Sequence, residues 1–272
     1  MTHHPFTAIA LCAICASAQA GPFAPAAGQS GSTAIAKNST LITAWANGYQ
    51  NYLPGSNVDA AFRTPDKALG PAVGNAFDIV ALGDAGRITL TFNGSIFNGP
   101  GWDFAVFENS FSDTFLEFAF VEVSSNGTSF FRFPTFSFTP APVNAFGSVD
   151  PTNVDGLAGK YRQGFGTPFD LDLFKNLANI DVNHITQVRL VDVVGNGTER
   201  DNWPANFGGP HFIYDPFRTN GSGGFDLDAL GVRYLHAAAP PPAPPAPVPL
   251  PTPALLLLAP LAALATRTRV RG

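Results

Sequence analysis

Residues Val121 to Phe133 read VEVSSNGTSFFRF, and this stretch decides the fold. Val121 and Val123 alternate with polar neighbours, Ser125-Asn126-Gly127 follows, and the apolar character resumes at Phe130. Asn and Gly tolerate the positive φ of a tight hairpin turn, so the stretch predicts two antiparallel strands around that turn. Pro134 should then interrupt pairing, because proline donates no ladder hydrogen bond.

Five more Asn-Gly dipeptides (47–48, 93–94, 98–99, 196–197 and 220–221) mark further candidate turns on either side. Between them, Arg87 to Phe92 (RITLTF) alternates cleanly, with Ile88, Leu90 and Phe92 on one face. Phe104 to Phe107, Phe115 to Val123 and Phe130 to Phe138 are apolar on both faces in places, as inner strands are, and Gln187 to Val194 and Phe225 to Tyr234 complete the set. A helical period occurs only in Phe169 to Leu177, where Leu171, Phe174 and Leu177 would share a face. Strands do not alternate with helices and no internal repeat is present. The pattern predicts an all-β, antiparallel β-sandwich with at most one or two short helices.

Composition agrees. The 27 Gly and 25 Pro would suit a disordered chain, but 25 Phe reverse that inference, since disordered chains lack the aromatics to bury. The thirteen Phe between Phe92 and Phe138 are expected to be core. All 20 acidic residues lie between Asp59 and Asp228, while three of the 15 basic ones (Arg267, Arg269, Arg271) close the chain. Residues 21–239 thus hold 12 basic against 20 acidic groups, a net charge of −8, which argues against nucleic acid as a partner.

The two ends read as addresses. Ala8 to Ala16 form an apolar run, and Ala18-Gln19-Ala20 is a small-x-small cleavage site before Gly21, so residues 1–20 predict a secretory signal, though its n-region offers His3 and His4 rather than Lys or Arg. Cys12 and Cys15, the only cysteines, fall inside it, so the mature body, residues 21–239, must hold together without disulfides. Residues 240–253 (PPPAPPAPVPLPTP) form a semi-rigid Pro-rich linker. Ala254 to Ala265 follow, shorter than the roughly 20 apolar residues a spanning helix needs, and then the Arg cluster.

This order of Pro motif, short apolar run and terminal Arg residues, over 248–272, resembles the PEP-CTERM sorting signal in its VPLPA-type variant, carried by Val248-Pro249-Leu250-Pro251 and departing at Thr252. The resemblance implies recognition by an exosortase in a Gram-negative cell, display on the envelope surface or release from it, and membrane contact only through the C-terminal segment. A simple membrane tail is the alternative. Within the body, KALGP (Lys67 to Pro71), GRITLTF (Gly86 to Phe92) and DFAVFEN (Asp103 to Asn109) resemble a group of bacterial cell-surface proteins. DPTNVDGLAG (Asp150 to Gly159), YDPF (Tyr214 to Phe217) and GGFDLDALGV (Gly223 to Val232) fit the same group, whose fold is expected to be the galactose-binding-like jelly roll. A polysaccharide or calcium role would follow from that fold only by analogy.

Candidate chemistry is sparse. Asp150, Asn153 and Asp155 lie in the loop DPTNVDG, and Asp226 and Asp228 alternate on the last strand. Together they could offer the oxygen donors that calcium prefers, or merely make Asx turns and caps. Trp102, Trp203 and Tyr214 sit in Gly-bearing turns where a ring could stack on a sugar, and His211, Tyr214 and Asp215 share the loop GPHFIYDPF. The plainer reading has both Trp capping the core and His211 solvated. Asp103 and Glu108 flank an apolar run, but five residues along a strand separate them by about 16 Å, too far for a hydrolytic pair. No H-E-x-x-H, G-x-S-x-G, phosphate-loop or dinucleotide motif is present. Three readings stand: a non-catalytic binder or organiser of extracellular polysaccharide with calcium as its candidate ion, a hydrolase whose carboxylates converge only in the fold, and a structural matrix or adhesion protein.

Overall fold

The computed structural model describes residues 20–75 and 77–238. The expected export signal, all but its last residue, lies outside them, as do the Pro-rich linker and the sorting tail.

The Val121 to Phe133 stretch folds as a hairpin. Ala119–Ser124 pairs antiparallel with Phe131–Arg132, Glu122 opposite Arg132 and Val123 opposite Phe131. Asn126 Oδ1 accepts hydrogen bonds from the backbone N–H groups of Thr128 (2.9 Å) and Ser129 (2.8 Å), and Ser124 Oγ accepts one from Gly127 (2.9 Å). Gly127 sits at φ 73°, in the left-handed region where a side chain would be strained. Past Pro134 the chain leaves the hairpin, and Phe136–Ser137 pairs with Val154–Asp155 instead.

Two six-stranded sheets form the body. In the first, Ile35–Ala36, Phe165–Phe169, Phe104–Glu108, Asp226–Val232 and Ala44–Trp45 are neighbours in that order, and Val80–Ala81 also pairs with Asp226–Val232. In the second the order is Leu235–Ala237, Arg87–Ile96, Ile185–Asp192, Ala119–Ser124 and Phe131–Arg132, with Gly48–Leu53 also on Arg87–Ile96. All pairings in both sheets are antiparallel. The predicted β-sandwich is the observed fold.

The period of two explains the layers. Ile88, Leu90, Val121, Val123, Val188 and Leu190 of the second sheet meet Phe104, Val106, Leu230 and Val232 of the first in one buried cluster. Phe133 joins it edge-on to Phe169 (centroids 5.0 Å apart), as does Phe104, stacked on Phe169 at 5.4 Å. Each such ring contributes about 1.5–3 kcal/mol by leaving water. Phe104–Glu108 and Asp226–Val232 are buried along their whole length, because Ile35, Ile42, Trp45 and Trp102 cover their outer face. That is why these segments read as continuous apolar runs.

Helical structure among the described residues is limited to 3₁₀ turns of three or four residues. The predicted helical segment holds one of them, Leu171–Phe174; Leu171 and Phe174 are buried, but Leu177 lies beyond the turn and is exposed. Three of the expected Asn-Gly turns fall in strands instead, Asn196-Gly197 among them at the start of Asn196–Arg200. Asn93-Gly94 lies inside the ten-residue strand Arg87–Ile96, and Gly48 opens the strand Gly48–Leu53. At Gly94 the reason is close approach: a Cβ there would lie 2.0 Å from the carbonyl oxygen of His236 on the adjoining strand.

Candidate functional site

Leu227 lies opposite Glu108, so the end of Phe104–Glu108 and the start of Asp226–Val232 meet at one end of the first sheet. Asn109 N–H reaches Asp226 O at 3.3 Å. The segment that leaves Glu108 carries Phe111, Phe115 and Glu117 on its way to the second sheet, and the turn before Asp226 brings Thr219, Asn220 and Ser222. These residues enclose a pocket of about 240 Å³ whose remaining walls are Phe62, Phe77 and Phe146.

The floor of this pocket is acidic. Glu117 and Asp226 line it, Glu108 lies behind them, and all three are at least 95% buried. Glu117 Oε1 accepts from Thr219 Oγ1 (2.7 Å) and Gly224 N–H (3.1 Å). Glu108 Oε2 accepts from Ser110 N–H at 2.8 Å. The Ser222 and Asn109 side chains favour the ionised form of Asp226, less strongly than burial opposes it, and its buried Oδ1 has no hydrogen-bond partner. Burial pushes Glu117 up to about 8. Burial, then repulsion from Glu117 and Asp226, holds Glu108 well above the usual carboxylate range, and burial followed by repulsion from Glu117 does the same to Asp226. No basic side chain lines the pocket among the described residues. Arg63 and Lys67, on the neighbouring 3₁₀ turns, bond the carbonyl oxygens of Val58 and Phe77.

The rim is aromatic. Phe77, Phe111 and Phe146 are 76%, 65% and 85% exposed. Phe111 stacks on Phe115 (4.7 Å, 18°), and Phe115 stacks on Phe146 (6.2 Å, 20°). The expectation that every Phe from Phe92 to Phe138 is core is therefore corrected at Phe111, which the loop turns outward after the strand has ended.

The residues expected to bind a ligand are only partly gathered. His211 and Tyr214 line a second pocket of about 360 Å³, together with Arg200, Phe138 and Phe212, and Trp203 packs at its back, edge-on to Phe138 at 5.0 Å. His211 Nδ1 lies 3.1 Å from Asp201 Oδ2, and the Asp201 carboxylate also accepts from the backbone of Ser137, Trp203 and His211. Asp215 turns inward to accept from Phe118 N–H (2.9 Å) and is buried. Trp102 belongs to another recess, of about 500 Å³, beside Ile35, Phe169 and Asp170.

The expected cation ligands have separate partners. Asp150 caps a 3₁₀ turn, accepting from Thr152 N–H and Oγ1 at 2.9 and 2.7 Å. Asn153 lies in that turn, and Asp155 pairs with Lys160 at 3.6 Å. Asp228 binds the N–H groups of Val73 (2.9 Å) and Gly74 (2.8 Å), and a bulge between Leu227 and Ala229 breaks its simple alternation with Asp226. Among the described residues no three Asp, Glu, His or Cys side chains are grouped to hold a metal ion as they stand. Asp103 and Glu108 are indeed apart in role: Asp103 binds Gly99 N–H (2.8 Å) and Leu171 N–H (2.6 Å), while Glu108 looks to Glu117 and Asp226.

Sequence reading missed Glu108 and Glu117 as partners of Asp226. The available signal was a carboxylate at the close of FAVFE and another inside FLEFAF, each set in an otherwise apolar run. No family model matches the chain, and no curated protein or solved structure shows significant similarity to it.

Proposed function

We propose that this chain is an exported, surface-sorted protein that binds or organises extracellular polysaccharide without catalysis, and that the Phe-rimmed pocket is its glycan site. The observation that carries the reading is the exposed Phe111–Phe115–Phe146 ladder over a floor of Asn109, Thr219, Asn220, Ser222 and two carboxylates. Flat apolar faces match the faces of sugar rings, and convergent amide, hydroxyl and carboxylate groups orient hydroxyls. Outside the described residues, the Pro motif and Arg cluster of the tail support sorting by an exosortase-type enzyme. A jelly-roll course for the two sheets, in the galactose-binding-like manner, belongs to the same proposal.

The test is a pull-down of residues 21–239 on a panel of polysaccharides, run with calcium and again with a chelator. Retention by at least one polysaccharide, weakened by Phe111→Ala, supports the reading. Loss in the chelator arm alone would assign calcium a part in it. No retention on any polysaccharide moves the weight to a structural matrix protein.

A second reading has its own observation. Glu117 and Asp226 line one pocket, both hold protons more tightly than ordinary carboxylates, and an acid of raised pKa opposite a second carboxylate is the equipment of a glycoside hydrolase. Release of new reducing ends from any panel polysaccharide, abolished by Glu117→Gln, would establish it over the binding reading.

A further inference from the structure

The pocket joins two features that a neutral sugar does not need together: an aromatic rim and an acidic floor with no counter-charge. We propose that it selects glycans bearing free ammonium groups, that is, polymers of de-N-acetylated amino sugars, with the ammonium seated between Glu117 and Asp226 below the phenyl faces. The inference rests on the polysaccharide-binding reading and names the class of sugar.

Three observations carry it. First, Asp226 Oδ1 is a buried acceptor without a partner, and Asp226 lines the pocket. A buried polar atom left unpaired costs free energy, which a donor carried in by a ligand would recover. An ammonium brings three donors and a positive charge, whereas a hydroxyl brings one donor and none. Second, the carboxylates repel one another and no Lys, Arg or His among the described lining residues compensates them. Burial and this mutual repulsion keep protons on Glu117 and Asp226, so an ammonium seated between them takes the place of a proton, which leaves to solvent on binding. Third, Phe111, Phe115 and Phe146 present stacked faces at the mouth, and aromatic faces attract ammonium groups through the ring quadrupole. A bare metal ion would use the carboxylates but would leave the phenyl rim without a purpose, while a sugar amine uses both.

Calorimetry on the full chain with three soluble oligomers of the same length decides the matter: β-1,4-linked glucosamine, its fully N-acetylated form, and a neutral glucose oligomer, at about pH 6 where the amine is charged. The glucosamine oligomer should bind about tenfold or more tightly than either neutral one. Asp226→Asn and Glu117→Gln should each reduce that preference to near unity while keeping weak binding to all three. The wild-type comparison stands even if a variant fails to fold. Equal affinity for charged and neutral oligomers overturns the amine proposal and leaves the polysaccharide reading intact. No binding to any of the three, while some polysaccharide of the panel is retained, likewise overturns only the amine proposal; no binding anywhere overturns both. A preference that appears only with added calcium, or binding of a Lys-rich peptide without any glycan, also overturns it.

Discussion

Two sets of buried carboxylates divide this molecule. At the loops that close the sandwich, Asp103, Asp192, Asp201 and Asp228 each accept at least two backbone N–H groups. At the pocket, Glu108, Glu117 and Asp226 lie against one another, and Asp226 Oδ1 accepts nothing. Burial is common to both sets, so burial does not separate scaffold from site. What separates them is one oxygen: Glu108 and Glu117 accept from Ser110, Thr219 and Gly224, but Asp226 Oδ1 has no hydrogen-bond partner. A filled carboxylate is part of how a turn satisfies its own backbone, while an unfilled oxygen is a buried acceptor left over.

Removing one member of each set gives the largest contrast. Asp201→Ala strands the backbone N–H groups of Ser137, Trp203 and His211 together with the His211 ring, and should destabilise by about 3–5 kcal/mol in a urea titration. Asp226→Asn keeps the shape and replaces a carboxyl that burial already holds in its neutral form, so stability should hold. Equal, large losses in both variants would erase the distinction between the sets.

The pH dependence comes next. Glu117 titrates near 8 in the fold against an ordinary 4.5, and Asp103 near 6 against 3.8, both raised mainly by burial. Between the ordinary and the folded value the folded state holds a proton that the unfolded chain has released. Stability is therefore greatest below the ordinary values and is lost as pH rises through the folded ones. The melting temperature should fall from about pH 5 to about pH 8, contrary to the usual optimum in that range. Glu117→Gln should flatten the upper part of the fall, above the Asp103 window. A melting temperature that rises with pH would mean that these carboxylates are compensated by something that binds them.

The same division marks what the sequence discloses. Val121 to Phe133 could be read as a hairpin because every determinant is local: alternating valines, a turn built from Ser124, Asn126 and Gly127, and a proline to end it. Ile88 and Leu90 could be placed in the core for the same reason. The pocket could not be read, because Glu108 and Asp226 become neighbours only through a strand pairing across more than a hundred residues. Asn93-Gly94 misled in the opposite direction: its glycine answers to His236 of a distant strand, not to a turn of its own. Composition also concealed the rim, since nothing in a run of phenylalanines says which ring the chain will turn outward.

That last ambiguity sets the smallest expected change in stability. Phe111 and Phe146 are exposed and each stacks on Phe115, so truncating both to Ala should alter unfolding free energy by no more than about 0.5 kcal/mol each. Buried Phe133, cut the same way, should cost about 3–5 kcal/mol. If the rim is a binding surface, the double variant loses most polysaccharide retention while its urea midpoint stays in place. If instead its midpoint drops as far as that of Phe133→Ala, the rings are core that the loop holds in place, and the pocket loses its claim to be the site. Exposed aromatic rings stacked beside a buried oxygen without a hydrogen-bond partner form a pairing that, more than either feature alone, directs the search for a ligand to this end of the first sheet.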